Sequence, residues 1–367
     1  MGADRAPAAP PSLSALRGQD AARRTFRAAL GVGGAPQRVA GAYLLHGPEG
    51  VGRSLGALGF AAALLCASPD DDRPCGTCRA CRWNAAGTHP DLVQLSGTSG
   101  PFFKDDGEAA RAGAASFTRA HHLAAGGDAD GAAEPRRGIP VRSLRRALEL
   151  LALSAVGCGR KVVVLDALDD VEEEGVATLL KSLEEPPPET TFLLLARGTD
   201  GVPDTILSRC QRVRFQPLAP EIVRELLAEH ATTPELDDAR LELVVRVAQG
   251  SAGRALRAVA GDLAGRADDA VLGLLAADRP RGVEDALAWV LEAGRDLASR
   301  RARLRELVAL ALLRARDAAA RRGSSDELDA LLPALTTALE STESNVAPEL
   351  VLHALWARVA RARRLTN

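Results

Sequence analysis

Two groups of residues in this 367-residue sequence have types and spacings that could do chemistry. The first is Gly47-Pro48-Glu49-Gly50-Val51-Gly52-Arg53-Ser54, which follows the apolar run Tyr43-Leu44-Leu45-His46 and leads into a long Ala/Leu stretch. A strand, a glycine-rich turn and a helix in that order let backbone N–H groups cradle phosphates, and Gly47, Gly52 and Ser54 meet the pattern G-x-x-x-x-G-K-[ST]. Arg53 stands where the pattern asks for lysine. The loop lysine is a compact point charge and arginine a wide planar fork, so the exchange keeps the charge and changes the chemistry. Hydrolysis is expected to suffer more than folding. Taken alone, these residues leave open a bound but unhydrolysed nucleotide with Mg2+, an empty relic pocket, or a plain turn without a ligand.

The second group is Cys66, Cys75, Cys78 and Cys81, four of the six cysteines. Cys-x-x-Cys turns aim two thiolates at one centre, and four soft sulfurs suit tetrahedral Zn2+ with a structural role. Such clustering in an intracellular chain argues for metal over disulfides. An iron–sulfur cluster is the rival, but the Cys-Pro that follows such a run is missing. His89 is an alternative ligand to Cys66, and reduced, unliganded thiols are the plain alternative.

A third element answers the first. Arg160-Lys161-Val162-Val163-Val164-Leu165-Asp166 reads as a buried parallel strand ending in a carboxylate, the layout in which an aspartate meets the magnesium of a bound nucleotide. Ala167 follows, where an active ATPase carries the glutamate that polarises water. Asp166 could instead cap the next turn.

Residues 1–12 are Ala/Pro-rich and read as a disordered tail; a helix is expected over Leu13 to Leu30 and a strand over Ala42 to Leu45. The helix after the loop runs to about Cys66, and His89 to Leu95 returns to a strand. Residues 96–138, rich in Gly, Ala, Asp and Arg, read as a flexible insertion in which His121 and His122 are solvated. A helix over Val141 to Ser154, the Asp166 strand, a helix over Val176 to Glu185 stopped by Pro186-Pro187-Pro188, a strand over Thr190 to Ala196 and a short strand over Val213 to Phe215 complete an α/β region. Beyond Pro217 only helices are expected: Glu221 to Glu229, Leu236 to Ala248, Gly253 to Ala260, Val283 to Arg321, Asp326 to Leu339 and Pro348 to Arg364. Arg300, Arg301, Arg303 and Arg305 read as a solvated face.

The net charge of −2 and the 3% aromatic content do not mark a dedicated nucleic-acid binder. No stretch has the length and apolarity of a membrane span, and the N-terminus lacks a signal-peptide core, so a cytoplasmic protein is expected.

Taken in sequence order, the altered phosphate loop, the module over residues 66–81, Leu179-Leu180-Lys181-Ser182-Leu183-Glu184-Glu185-Pro186-Pro187 and Ser208-Arg209-Cys210 resemble the delta-prime family of bacterial DNA polymerase III clamp-loader subunits. The resemblance runs from about Gly18 to Arg254. It implies an AAA+ core over 13–216, a parallel sheet flanked by helices with the zinc module inserted, then a three-helix lid over 217–278 and an all-α collar over 279–367 that joins subunits. It implies a non-hydrolysing subunit, partnered by gamma/tau and delta, that helps load the sliding clamp onto primed DNA during replication, at the nucleoid-associated replisome. Arg209 looks like an arginine finger acting in trans on a neighbouring ATPase subunit, and Arg254 like the lid arginine that senses this chain's own nucleotide, held at Gly47, Gly50, Gly52, Arg53, Ser54 and Asp166. Arg53 and Ala167 agree with hydrolysis residing on the gamma/tau partners, while the insertion is longer than the family leads one to expect. An active gamma/tau-type ATPase and a zinc-bearing DNA-binding module are the competing functions.

Overall fold

The apolar runs between Tyr43 and Phe215 pair into one sheet because each is short, rich in Val and Leu, and separated from the next by a helix-length stretch. In the computed structural model, residues 12–33, 37–69, 71–96, 139, 141–151, 154–157, 159–166, 168–171, 173–229, 237–260, 263–276, 281–293, 297–322, 326–342 and 346–366 are described. The strands are β1 (Ala42–His46), β2 (Leu92–Ser96), β3 (Lys161–Asp166), β4 (Thr190–Ala196) and β5 (Gln211–Arg214). They form one five-stranded sheet in the order β2-β3-β4-β1-β5, and every pairing is parallel. Central strands β1, β3 and β4 are buried along almost their whole length, as parallel strands covered on both faces must be. Edge strand β5 buries only Val213.

Helices α1 (Asp20–Ala29) and α2 (Arg53–Leu65) cover one face. There Phe26 stacks on Phe60 at 4.5 Å, and Tyr43 meets Phe60 edge-on at 5.1 Å. Helix α3 (Arg79–Ala85) follows, and α4 (Val141–Leu151) and α5 (Glu173–Glu184) cover the opposite face through Leu144, Leu151, Leu179 and Leu183. A short α6 (Asp204–Leu207) precedes β5. This is the expected α/β core, a parallel sheet flanked by helices.

Several expectations change in detail. The helix over Leu13 to Leu30 is divided into a 3-10 turn at Leu13–Ala15 and α1. Gly18 separates them at φ +66, and a Cβ there would press on Ile222 Cδ1 at 2.8 Å. Strand β5 starts at Gln211, ahead of the expected Val213, and Phe215 lies just past it, donating its N–H to the His46 carbonyl at 2.8 Å. Helix α3 was not anticipated, because its seven residues are too few to show an apolar period.

Helices α7 (Pro220–Glu229), α8 (Asp238–Ala248) and α9 (Ala252–Ala260) come next. Then α10 (Asp268–Ala276), absent from the sequence reading, begins with Asp268 and Asp269, which complement a helix N-terminus. The long helix expected over Val283 to Arg321 is two, α11 (Arg281–Leu291) and α12 (Leu297–Arg322), followed by α13 (Asp326–Ser341) and α14 (Pro348–Thr366).

The chain divides into two compact units, one of Met1–Ile222 with Gly250–Gly253, the other of Val223–Gln249 with Arg254–Asn367. In the second unit, Arg246 forks onto Asp317 at 2.6 and 3.0 Å. Arg303 there lies 4.9 Å above the buried ring of Trp289. No helix among the described residues is long and apolar enough to cross a membrane. Apart from Ser12 and Ser96, the tail over 1–12 and the insertion over 96–138 lie outside the described residues, as do Ala167, His121 and His122.

Candidate functional site

The glycine-rich loop over residues 47–54 leaves the C-terminal end of β1 and turns directly into α2, so its backbone is fixed by a buried strand on one side and a buried helix on the other. Gly47, Gly50 and Gly52 all have positive φ, at 147°, 74° and 103°. Gly47 is the most constrained: its N–H donates to the Ala196 carbonyl at 3.3 Å, and a Cβ would run into the carbonyl of Phe215. The Gly50 carbonyl accepts the Gly253 N–H at 3.0 Å.

Ser54 sits in the first turn of α2 and donates its hydroxyl to Asp166 Oδ2 at 3.1 Å. The end of β3 therefore comes to the phosphate loop at the C-terminal edge of the sheet, the place where open parallel sheets bind ligands. In phosphate-loop hydrolases the hydroxyl and the carboxylate at these two places hold Mg2+, and the pair fits that use here. Arg53 is half-buried beside them; burial pulls its guanidinium below the usual value, while Asp166, Asp169 and Glu49 oppose that pull. Asp169 is itself fixed by the Arg197 N–H, which donates to its Oδ2 at 2.7 Å.

Gln19 is a positioning residue of this site whose role the sequence reading did not assign. Its side chain is buried, with Nε2 donating to the Val51 carbonyl at 3.1 Å and to the Gln216 carbonyl at 2.7 Å. Its Oε1 accepts the Gln216 N–H at 3.1 Å, so one amide ties the loop to the segment after β5. Its position just past a glycine and ahead of an amphipathic helix was the available signal.

The four cysteines meet beyond α2. Cys66 follows the last residue of that helix, Cys75 lies in the turn after it, Cys78 caps α3 and Cys81 lies within it. Their sulfurs all lie within 4.8 Å of one another. The closest pairs are Cys66–Cys81 at 3.7 Å, Cys66–Cys78 at 4.0 Å and Cys75–Cys81 at 4.0 Å. Tetrahedral zinc with Zn–S near 2.3 Å requires S···S separations of about 3.8 Å, so the group fits that ion. Backbone N–H groups of Ser68 and Cys75 point at Cys66 Sγ at 3.4 Å, and those of Cys78 and Cys81 point at Cys75 and Cys78 at 3.4 Å. Such donors stabilise thiolates and orient them as ligands. The Thr77 hydroxyl and the Cys78 and Thr77 backbone donors bring Cys75 down to about 6, whereas burial pushes Cys66 and Cys81 up.

His89 stands apart from this group. Its Nδ1 accepts the Asp91 N–H at 3.1 Å and its ring lies edge-on to Trp83 at 5.5 Å. Cys66 is the residue that stands with the other three thiols.

Arg209 lies between α6 and β5, and its contacts are a separate set. Nη1 donates to the Thr205 carbonyl at 2.9 Å and to the Ser208 hydroxyl at 3.2 Å, and Nη2 to Glu184 Oε1 at 2.7 Å. Arg254 belongs to α9, within the helical unit.

Residues 25–219 match the family described as "DNA polymerase III, delta subunit". Among relatives, "DNA polymerase III subunit delta'" of Pseudomonas aeruginosa is 34% identical over 179 residues, 49% of this chain and 44% of that protein. The protein of the same name from Bacillus subtilis is 26% identical over 201 residues, 54% of this chain and 49% of its own length. "DNA polymerase III subunit gamma/tau" of Mycobacterium tuberculosis is 30% identical over 288 residues, 76% of this chain and 42% of that one. The chain thus spans less than half the length of each of these relatives.

Proposed function

We propose that this chain, which belongs to the family described as DNA polymerase III, delta subunit, is a clamp-loader subunit of the delta-prime kind that does not itself hydrolyse ATP. It completes an assembly with gamma/tau and delta subunits, helps place the sliding clamp on primed DNA in the cytoplasm, and lends Arg209 to the active site of a neighbouring subunit. The observation that carries this reading is Arg53 in an otherwise preserved phosphate loop: Ser54 and Asp166 still meet at 3.1 Å, but the cation beside them is a half-buried planar fork. Ala167 in the sequence removes a second part of the hydrolytic machinery.

In this reading the core over 13–216 carries the phosphate loop, 217–278 forms a lid with Arg254 as its sensor, and 279–367 forms the collar that pairs with partner subunits. Structural Zn2+ at Cys66, Cys75, Cys78 and Cys81 ties the end of α2 to α3; four thiolates leave no open coordination position, so it takes no part in a reaction.

An active gamma/tau-type ATPase is the second reading, favoured by the intact Ser54–Asp166 contact and by the 76% of this chain that aligns with a gamma/tau subunit. ATP turnover by the purified chain separates the two, together with co-purification with gamma/tau and delta. The proposal expects stable co-purification and no turnover above background. Robust turnover that Asp166→Ala abolishes would establish the second reading instead.

A further inference from the structure

The helix α5 ends where Pro186-Pro187-Pro188 forbids another turn, and Glu184 is its last residue. Leu179 and Leu183 bury the same helix against the sheet, so the stem of Glu184 has a fixed origin. Arg209 approaches it from the far end of a 25-residue separation, at 2.7 Å.

The guanidinium is held at two of its nitrogens. Nη1 meets the Thr205 carbonyl, one of the orphan acceptors at the end of α6, and the Ser208 hydroxyl. Nη2 meets Glu184. Two anchored nitrogens fix both the direction and the roll of a planar group. Of the five N–H bonds of a guanidinium, Nε–H has no partner among the described residues, and it shares an edge with Nη2. That edge suits bidentate contact with a phosphate. The side chains of Arg209 and Glu184 are 35% and 51% exposed, so the pair adds little to folding, and an acceptor from outside the chain can reach the fork.

We infer that Glu184 is a positioning residue: it holds the Arg209 guanidinium with its Nε/Nη2 edge outward, ready for a nucleoside triphosphate bound on another protein. The inference rests on the trans role of Arg209 proposed above. Removing Glu184 leaves the fork tethered at Nη1 alone, and the freedom it regains must be lost again on each encounter.

The test is steady-state ATP hydrolysis by the full complex reconstituted with clamp and primed DNA, using wild type, Glu184→Ala, Glu184→Gln, Arg209→Ala and the double variant at equal assembly. Glu184→Ala should lower kcat of the partner-site turnover by about three- to tenfold with KM for ATP unchanged. Glu184→Gln retains an oxygen acceptor and should recover most of the rate, which a loss of general structure would not do. The double variant should match Arg209→Ala, because Glu184 acts only through Arg209. A Glu184→Ala complex as fast as wild type, or faster, overturns the inference while a slow Arg209→Ala complex upholds the trans role. A double variant slower than Arg209→Ala overturns it too, and an unchanged Arg209→Ala rate removes both readings together.

Discussion

Ser54 Oγ donates to Asp166 Oδ2 across 3.1 Å although 112 positions separate the two residues in the chain. The contact fastens the first turn of α2 to the end of β3 and keeps together the two groups that hold magnesium in phosphate-loop hydrolases. The altered part is the cation: Arg53 has its charge delocalised over a fork and is half-buried.

The isolated chain should therefore show no ATP turnover, and Asp166→Ala should leave that background unchanged. Arg53→Lys restores the compact ammonium and should tighten Mg-ATP binding about tenfold or more, since a charge-assisted hydrogen bond contributes roughly 1.5–3 kcal/mol. Calorimetric titration of both forms measures it. Equal affinities would show that the fork already does the lysine's work.

Elemental analysis should find about one zinc per chain, and removal by a strong chelator should lower Tm, because an ion held by the four thiols would join α2 to α3. Cys81→Ser replaces a fully buried thiol of the cluster and should reproduce the metal-free Tm. Iron in place of zinc, or no metal, would contradict the assignment.

Thiol reactivity offers an independent check with a clear sign. Cys75, held down to about 6, is mostly thiolate at neutral pH, while burial raises Cys210 to about 11 and keeps it a thiol. Brief alkylation at pH 7 of chelator-treated protein should label Cys75 well ahead of Cys210, and zinc should protect Cys75. Peptide mass mapping reads the order, and preferential labelling of Cys210 would reverse it.

Much of this site was legible because chemistry imposes spacing. The glycines of the loop, the apolar strand ending in Asp166 and the cysteine spacings each carry a local constraint that a linear sequence displays. Gly18 was visible too, but nothing local said that it would take a left-handed φ and divide the helix. Helix α3 escaped notice because metal-ligand spacing and a short helix share the same residues. The Glu184–Arg209 pair and the triple hydrogen bond of Gln19 were illegible for one reason: each joins residues far apart in sequence through the fold.

Backbone geometry at the loop gives a sharper test of fold. Gly47→Ala places a methyl group against the Phe215 carbonyl at φ +147 and should destabilise the protein by about 2 kcal/mol or more. Gly41→Ala, whose Cβ would rest 3.7 Å from Pro186, should change stability by less than about 0.5 kcal/mol. Urea denaturation compares them, and similar midpoints for the two variants would contradict the loop geometry.

The central claim is that Arg209 acts on a neighbour. Arg209→Ala removes an exposed cation without opening a core cavity, so the variant should fold and assemble normally. Arginine fingers contribute roughly 10³ or more to turnover in related hydrolases, and a lysine cannot reproduce the planar fork. The decisive measurement is ATP hydrolysis by the complex containing gamma/tau, delta, clamp and primed DNA, with the wild-type or Arg209→Ala chain at equal assembly. Arg209→Ala should cause a marked loss of turnover that Arg209→Lys does not fully restore; an unchanged rate in a fully assembled Arg209→Ala complex would mean that Arg209 does not act in trans.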